Sequence, residues 1–375
     1  MFKAFTEKIK LTPALGTSFT NWMMVLIENR GFTIKKLFRA TLITLLSVIG
    51  IPFRILERLR YEKRIKNVPI KKSPIFIIGH WRSGTTHLHN LLVQDPRFGF
   101  ISMLQAMFPR AFLITDFFKW FLDIFMPETR PMDNMKITPH KPQEDELAMS
   151  NFCPYSFYKA FYFPESMIKY FHRYLDFNGS QTEIIEKWKE NYRYLLKKAT
   201  YNMGGRRLIL KNPSNTPRIK VLLEMFPDAR FIHIHRNPYV IYPSMIHFYE
   251  TAIKFFILRP IPEEEIDKNI RMIYKLMMEN YFEEKHRIPK DNLVEVSFKE
   301  LESQPLEVLK RIYDTFQLGR FDQNKQRFER YLESQSNYQK NIYKLDKKTV
   351  QKIKASWAPI IDKLGYDLPK DLLKS

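Results

Sequence analysis

The chain has 375 residues, of which 45% are apolar or aromatic and 27% charged, with a formal net charge of +21. That apolar share supports a folded core and excludes a disordered chain. The single cysteine, Cys153, excludes an intrachain disulfide framework and a cysteine zinc site, and it suits a reducing compartment.

The basic surplus suits an anionic nucleotide, an anionic lipid surface or nucleic acid. Residues 1–72 hold 15 Lys and Arg against 4 Glu, so +11 falls in the first fifth of the chain. Lys3, Glu7, Lys8 and Lys10 break the first apolar run, and no small-residue cleavage site follows it, so no signal peptide is expected. From Ala40 to Phe53 runs a 14-residue uncharged segment, interrupted by Gly50 and Pro52. It is shorter than the ~20 apolar residues that span a bilayer. Arg30, Lys35, Lys36 and Arg39 precede it; Arg54, Arg58 and Arg60 follow. Two readings stand: a segment lying in a membrane interface, or a helix packed on the rest of the protein. Lys71-Lys72-Ser73-Pro74 reads as a boundary. It separates a basic, partly apolar helical region over 1–72 from a core domain over 73–375.

Ile75-Phe76-Ile77-Ile78 is a short apolar strand ending in Gly79. The loop His80-Trp81-Arg82-Ser83-Gly84-Thr85-Thr86 follows, and Leu88, Leu91 and Leu92 open a helical pattern. Strand, tight loop and helix aim backbone N–H groups at an anion. Gly79 to Gly84 has phosphate-loop spacing, but Thr85 and Thr86 stand where a nucleotide triphosphatase carries Lys and then Ser or Thr. The loop's fixed cation is Arg82, inside it.

Pro109 to Pro127 is rich in Phe112, Phe117, Phe118, Trp120, Phe121 and Phe125 at helical spacing. Residues 151–174 contain ten Phe or Tyr. Such density serves core packing, and it is also what the wall of an apolar pocket needs. Residues 181–198 read as a helix. Leu208 to Lys211 is a strand, Arg218 to Phe226 a helix, and Arg230 to His235 a second strand. A helix opens at Tyr239 with Pro238 in its first turn. Leu293 to Phe298 is a late strand, followed by a helix from Leu306. The alternation predicts an α/β fold, a parallel sheet flanked by helices, with a helical N-terminal extension and aromatic-rich helical insertions. Ligands on such sheets sit beyond the carboxyl ends of strands. Arg82 and Arg236 both lie just past such ends. Arg236 and Ser244 bracket the start of one helix, so a guanidinium and a hydroxyl can reach one phosphate from two sides. His233 and His235 share one strand face. With no third ligand at a metal-site spacing they read as residues packed against the sheet or placed near the nucleotide, and no metal site is expected.

Arg82-Ser83-Gly84-Thr85-Thr86, followed by Arg236 and Ser244, resembles the sulfotransferases that use 3′-phosphoadenosine 5′-phosphosulfate (PAPS). The match is to their bacterial, broad-specificity branch and runs from about Ile75 to Gly365. Arg130-Pro131-Met132-Asp133-Asn134, Pro142-Gln143-Glu144-Asp145-Glu146, Leu210-Lys211-Asn212-Pro213, Phe226-Pro227-Asp228-Ala229-Arg230-Phe231 and Lys340-Asn341-Ile342-Tyr343 also resemble that branch. The resemblance implies a P-loop-like fold and PAPS as co-substrate, without a metal. It assigns Arg82 to Thr86 to the 5′-phosphosulfate, and Arg236 with Ser244 to the 3′-phosphate. One departure is that Ser102-Met103-Leu104-Gln105 carries no carboxylate, whereas several relatives place a glutamate there.

Sulfuryl transfer passes through a loose transition state, so positioning and electrostatics at the leaving oxygen dominate. Lys211 either reaches the same anion or pairs with a carboxylate. The acceptor hydroxyl needs a base. Glu144 is the first candidate; Asp145 and His140 are the others. The aromatic stretches point to a hydrophobic alcohol such as a sterol or other lipid hydroxyl. The expected setting is the cytoplasm, peripheral on the inner face of the membrane if residues 1–70 bind it. Alternatives are a kinase or ATPase on the same fold, a sulfotransferase acting on carbohydrate, and a basic membrane or nucleic-acid binder without chemistry. No stretch forms a known nucleic-acid module, and no nucleic-acid partner is expected.

Overall fold

The computed structural model describes residues 13–114, 129, 132, 133, 135, 138–336 and 338–373. Three helices come first, α1 (Phe19–Glu28), α2 (Leu37–Ile49) and α3 (Ile51–Lys66). Then come β1 (Ile75–Ile78), α4 (Thr85–Leu92), the short strand β2 (Phe98–Gly99) and α5 (Met103–Met107). After them run α6 (Asp145–Phe152), α7 (Lys159–Tyr162), α8 (Met167–Tyr174) and the long α9 (Thr182–Asn202). β3 (Arg207–Lys211), α10 (Ile219–Met225), β4 (Arg230–His235), α11 (Pro238–Thr251) and α12 (Glu263–Glu284) lead to β5 (Leu293–Ser297). α13 (Phe298–Ser303), α14 (Pro305–Thr315), α15 (Phe321–Ser334) and α16 (Lys347–Leu364) follow. The chain forms two compact units, one of Met1–Lys72, Gly99–Arg207 and Thr251–Ile261, the other of Ser73–Phe98, Leu208–Glu250 and Pro262–Ser375.

The second unit is built on the sheet, in the order β2-β3-β1-β4-β5. β1 pairs in parallel with β3 and β4, and β4 with β5. β1 is buried at all four positions, as a central strand covered on both faces must be. Side chains alternate between the faces. Ile75 and Ile77 join Ile209, Ile232 and Val296 on the face that packs against Leu88 and Leu91 of α4 and Leu309 and Ile312 of α14. On the other face Phe76 stacks on Phe231 with ring centres 5.4 Å apart. The register sets Ile77 beside Lys211, and Ile78 beside His233. The strand ends that carry the candidate residues are therefore neighbours.

Local chemistry shifts some predicted boundaries. β5 stops at Ser297, whose hydroxyl accepts from the Glu300 amide at 3.1 Å and starts α13 at Phe298. A helix thus precedes the one predicted from Leu306. The stretch after Lys211 is a 3-10 turn from Pro213 to Arg218 before α10 begins. Asn212 caps that turn by accepting from the Ser214 amide at 2.9 Å, and Pro217, lacking an N–H, sits inside it.

In the first unit the Ser18 hydroxyl accepts from the Asn21 amide at 3.2 Å and starts α1. Gly50 separates α2 from α3, and Pro52 sits in the first turn of α3, where its missing N–H is no loss. Eight of the ten aromatics of 151–174 are buried, with Tyr155 and Tyr158 half-buried. That share of the aromatic density is core. Two clusters of buried charge are ion-paired. Lys198 donates to Glu57 and, at 2.5 Å, to the Pro109 carbonyl. Glu28 accepts from Lys159 at 2.6 Å and Arg173 at 2.8 Å. Residues 251–261 are stitched in through Leu258, whose amide donates to the Tyr162 carbonyl and whose carbonyl accepts from the Thr33 amide. Residues 109–114 form turns with Phe112 buried. Phe117, Phe118, Trp120, Phe121 and Phe125 lie outside the described residues, as do Arg130, Pro131 and Asn134.

Candidate functional site

The loop from Gly79 to Gly84 joins β1 to α4. Gly79 has φ +138, and a Cβ there would meet the Ile234 carbonyl oxygen at 2.2 Å. Gly84 has φ +101, and a Cβ there would meet the Phe298 ring at 2.2 Å. Both positions exclude a side chain on space and on backbone conformation. Thr216 fastens the loop at its base. Its hydroxyl accepts from the Gly79 amide at 2.8 Å and donates to the Gly79 carbonyl at 3.1 Å. The Ser83 hydroxyl donates to the His80 carbonyl at 2.7 Å. Ser83, fully buried, thus shapes the loop from inside. Thr85 and Thr86 open α4, with the positive end of the helix dipole at the loop.

Arg82 holds a left-handed backbone, φ +71, a conformation uncommon for a side chain with a Cβ. Its Nε donates to the Ser244 hydroxyl at 3.0 Å. The Tyr343 hydroxyl lies 3.3 Å from the same oxygen, and the Asn341 amide nitrogen 3.3 Å from the Tyr343 hydroxyl. Arg236, just past β4, points Nη1 at the Arg82 carbonyl at 3.5 Å and lies 4.5 Å over the Phe298 ring. Burial, with the nearby Arg82 charge second, lowers the Arg236 pKa. Two guanidiniums side by side repel. Phosphate or sulfate groups bound beside them would offset that repulsion and accept their N–H groups. The spacing of Arg236 and Ser244 therefore joins with Arg82 in one cluster. Lys211 is buried at the end of β3 beside Ile77, and its charge helps hold His89 below its usual pKa, after burial, at about 3.

Phe298 and Thr216 were not singled out from the sequence. Phe298 follows the carboxyl end of β5, the rule that marked Arg82 and Arg236, but an aromatic residue there reads as packing. Thr216 lies in a Pro-rich loop whose closure onto Gly79, 137 residues away, leaves no local pattern. His233 is buried and stacked on Tyr281 with ring centres 3.7 Å apart, and His235 lies 2.8 Å from the Tyr366 hydroxyl. Both rings pack against tyrosines. Among the described residues no group of three His, Cys, Asp or Glu could hold a metal.

The candidate bases belong to the first unit. Glu144 precedes α6 in extended conformation and accepts a hydrogen bond from the Tyr158 hydroxyl. Asp145 is the first residue of α6, fully buried, and accepts from the Tyr192 hydroxyl at 2.6 Å. Glu146 accepts from the Ser156 hydroxyl and the Phe157 amide, both at 2.8 Å. Asp145 and Glu146 are thus engaged inside the unit, while Glu144 is half-buried beside half-buried Tyr158 and His140 is exposed on a turn. The missing carboxylate after α4 has a structural counterpart. Ser102 and Gln105 form a reciprocal cap at the start of α5, the Gln105 side chain accepting from the Ser102 amide at 3.2 Å.

A family model described as the sulfotransferase family matches residues 74–323. The omega-hydroxy-beta-dihydromenaquinone-9 sulfotransferases Stf3 of Mycobacterium bovis and of Mycobacterium tuberculosis are each 33% identical over 356 residues, 94% of this chain and 91% of theirs. Among solved structures, sulfotransferase STF9 from Mycobacterium avium superposes with a TM-score of 0.66 at 19% identity, covering 90% of this chain and 87% of that one. STF1 from Mycobacterium tuberculosis superposes with a TM-score of 0.60 at 20% identity, covering 92% and 94%. These two likenesses are of fold.

Proposed function

From the premise that this chain belongs to the sulfotransferase family, we propose that it transfers a sulfuryl group from PAPS to the hydroxyl of a long apolar lipid alcohol. The observation that carries the donor half is the cluster of Arg82, Ser244 and Arg236 around a glycine-bounded loop. Its two cations and the start of α4 fit the two anionic ends of a 3′,5′-phosphorylated adenosine. In this reading Arg82 and the loop bind the 5′-phosphosulfate, with Thr85 and Thr86 donating to its oxygens. Arg236 and Ser244 bind the 3′-phosphate. The leaving 5′-phosphate gains charge as the sulfuryl group departs, and fixed donors at that oxygen lower the barrier most. Glu144 is the base in this account, oriented by Tyr158, and takes the proton of the acceptor hydroxyl.

For the acceptor, the relatives named for a hydroxylated dihydromenaquinone support an alcohol on a long apolar chain over a compact sterol. The enzyme meets such an acceptor at a membrane surface, through residues 1–70. The kinase reading lacks the lysine after Gly84, and no observation favours a carbohydrate acceptor.

The test is transfer of labelled sulfate from PAPS to a panel of an ω-hydroxylated prenyl quinol, a sterol and a saccharide. Label in the prenyl alcohol, with the saccharide blank, is the expected result. Ready labelling of the saccharide with both lipids blank overturns the acceptor reading, because apolar walls would leave sugar hydroxyls unpaired.

A further inference from the structure

Thirteen of the seventeen large apolar side chains exposed among the described residues fall between Phe19 and Leu59. On α2 they recur along one side, with Leu45 at 56% exposure and Ile49 at 60%; on α3 they include Ile55 at 53% and Leu59 at 81%. Recurrence every third or fourth residue makes one stripe per helix. Such a concentration of exposed apolar surface marks an interaction face. Exposed Lys35, Arg58, Arg60, Lys63, Arg64 and Lys66 belong to the same stretch. The acidic residues of α3 are taken up: Glu57 is buried against Lys198, and Glu62 pairs with Lys66 at 3.0 Å.

The stretch Ile34–Lys66 is long and apolar enough to cross a membrane by composition, with a mean hydropathy of 1.7 in its most apolar window. Its anchoring says otherwise. Ala40, Ile43 and Ser47 are buried on the opposite side of α2. Trp22 donates to the Thr44 hydroxyl at 2.9 Å. Arg54 donates to the Ser47 carbonyl at 2.7 Å and the Thr17 carbonyl at 2.6 Å. Glu57 accepts from the Leu113 amide at 2.7 Å. A spanning helix would break these bonds and carry Arg54 and Glu57 into hydrocarbon.

We propose that α2 and α3 lie in the plane of an anionic phospholipid surface, their apolar stripes sunk among the acyl chains and their lysines and arginines at the headgroups. The segment is thus an interfacial anchor that leaves the chain on one side of the bilayer. This deepens the lipid-acceptor reading and rests on it for purpose, though the binding itself does not.

The test is flotation of the full chain with vesicles of phosphatidylglycerol and phosphatidylcholine, and with vesicles of phosphatidylcholine alone. Binding should favour the anionic vesicles and weaken in high salt. The double variant L45E/L59E, both sites being exposed, should bind about tenfold or more weakly. It should keep its melting temperature and its sulfuryl transfer to a short, water-soluble alcohol. Absence of vesicle binding by the unaltered protein, or equal binding by L45E/L59E, overturns the proposal. So does a dimer in sedimentation that L45E/L59E dissolves without vesicle binding, which would make the face a contact between copies. Vesicle binding with no transfer to any alcohol would instead sink the sulfotransferase mechanism and leave the docking face standing.

Discussion

Arg82 donates through Nε to the Ser244 hydroxyl at 3.0 Å, joining positions 162 residues apart. The loop after β1 and the second turn of α11 thereby become one polar cluster. The bond fixes the direction of a guanidinium whose backbone is already in an uncommon conformation.

Arg82→Ala removes a charge-assisted contact to the donor and should lower both PAPS affinity and turnover by roughly 10²-fold or more. Ser244→Ala leaves the charge but frees its direction, and should cost roughly tenfold in affinity. Calorimetric titration with adenosine 3′,5′-bisphosphate ranks the two variants. Equal and undiminished affinities would contradict the assigned roles.

Gly84→Ala places a methyl group 2.2 Å from the Phe298 ring at φ +101. The loop must shift, so nucleotide affinity should fall while the sheet survives. Phe298→Ala in the same chain makes room and should restore part of the affinity. The remaining strain of φ limits the rescue. Thermal melts with and without nucleotide read both effects.

Glu144→Gln keeps size and hydrogen bonding but cannot take a proton. Turnover should fall roughly 10²-fold with nucleotide affinity unchanged. Tyr158→Phe removes a bond to Glu144 and should cost roughly tenfold. Full activity in Glu144→Gln would move the role to His140 or Asp145.

Burial holds the His80 pKa at about 4, and burial with the Lys211 charge holds His89 at about 3. Both folded values lie below the ordinary histidine value near 6.5. The unfolded chain therefore binds these protons first as pH falls. Stability is full above about pH 6.5 and declines below it, by up to about 1.4 kcal/mol per pH unit for each group. Denaturant titrations between pH 7 and pH 5 should show that slope. His89→Gln should be less stable at pH 7 and should show a shallower slope.

The sheet was legible because its strands are short apolar runs ended by Gly79, Lys211 and Arg236, and the nucleotide cluster because two arginines fall past strand ends. Boundaries after Lys211 and at Phe298 were not legible, since Asn212 and Ser297 decide them by caps that a three-residue pattern does not announce. The aromatic density of 151–174 was legible as apolar, but its division between core and surface was not. Tyr158 and Phe161 read alike in sequence, and only the fold leaves the first half-exposed beside Glu144. The uncharged run of Ala40 to Phe53 hid a longer apolar face, because the exposed stripe continues on α3 between its arginines.

Recognition of the 3′-phosphate separates a PAPS site from a general nucleotide site. The measurement is the affinity of adenosine 3′,5′-bisphosphate against that of adenosine 5′-monophosphate and of ATP with Mg²⁺, for the unaltered protein and for Arg236→Ala. The bisphosphate should bind at least tenfold more tightly than the monophosphate, a preference largely abolished by Arg236→Ala, with no competition from ATP with Mg²⁺. Equal binding of all three nucleotides, with no change in Arg236→Ala, would contradict it.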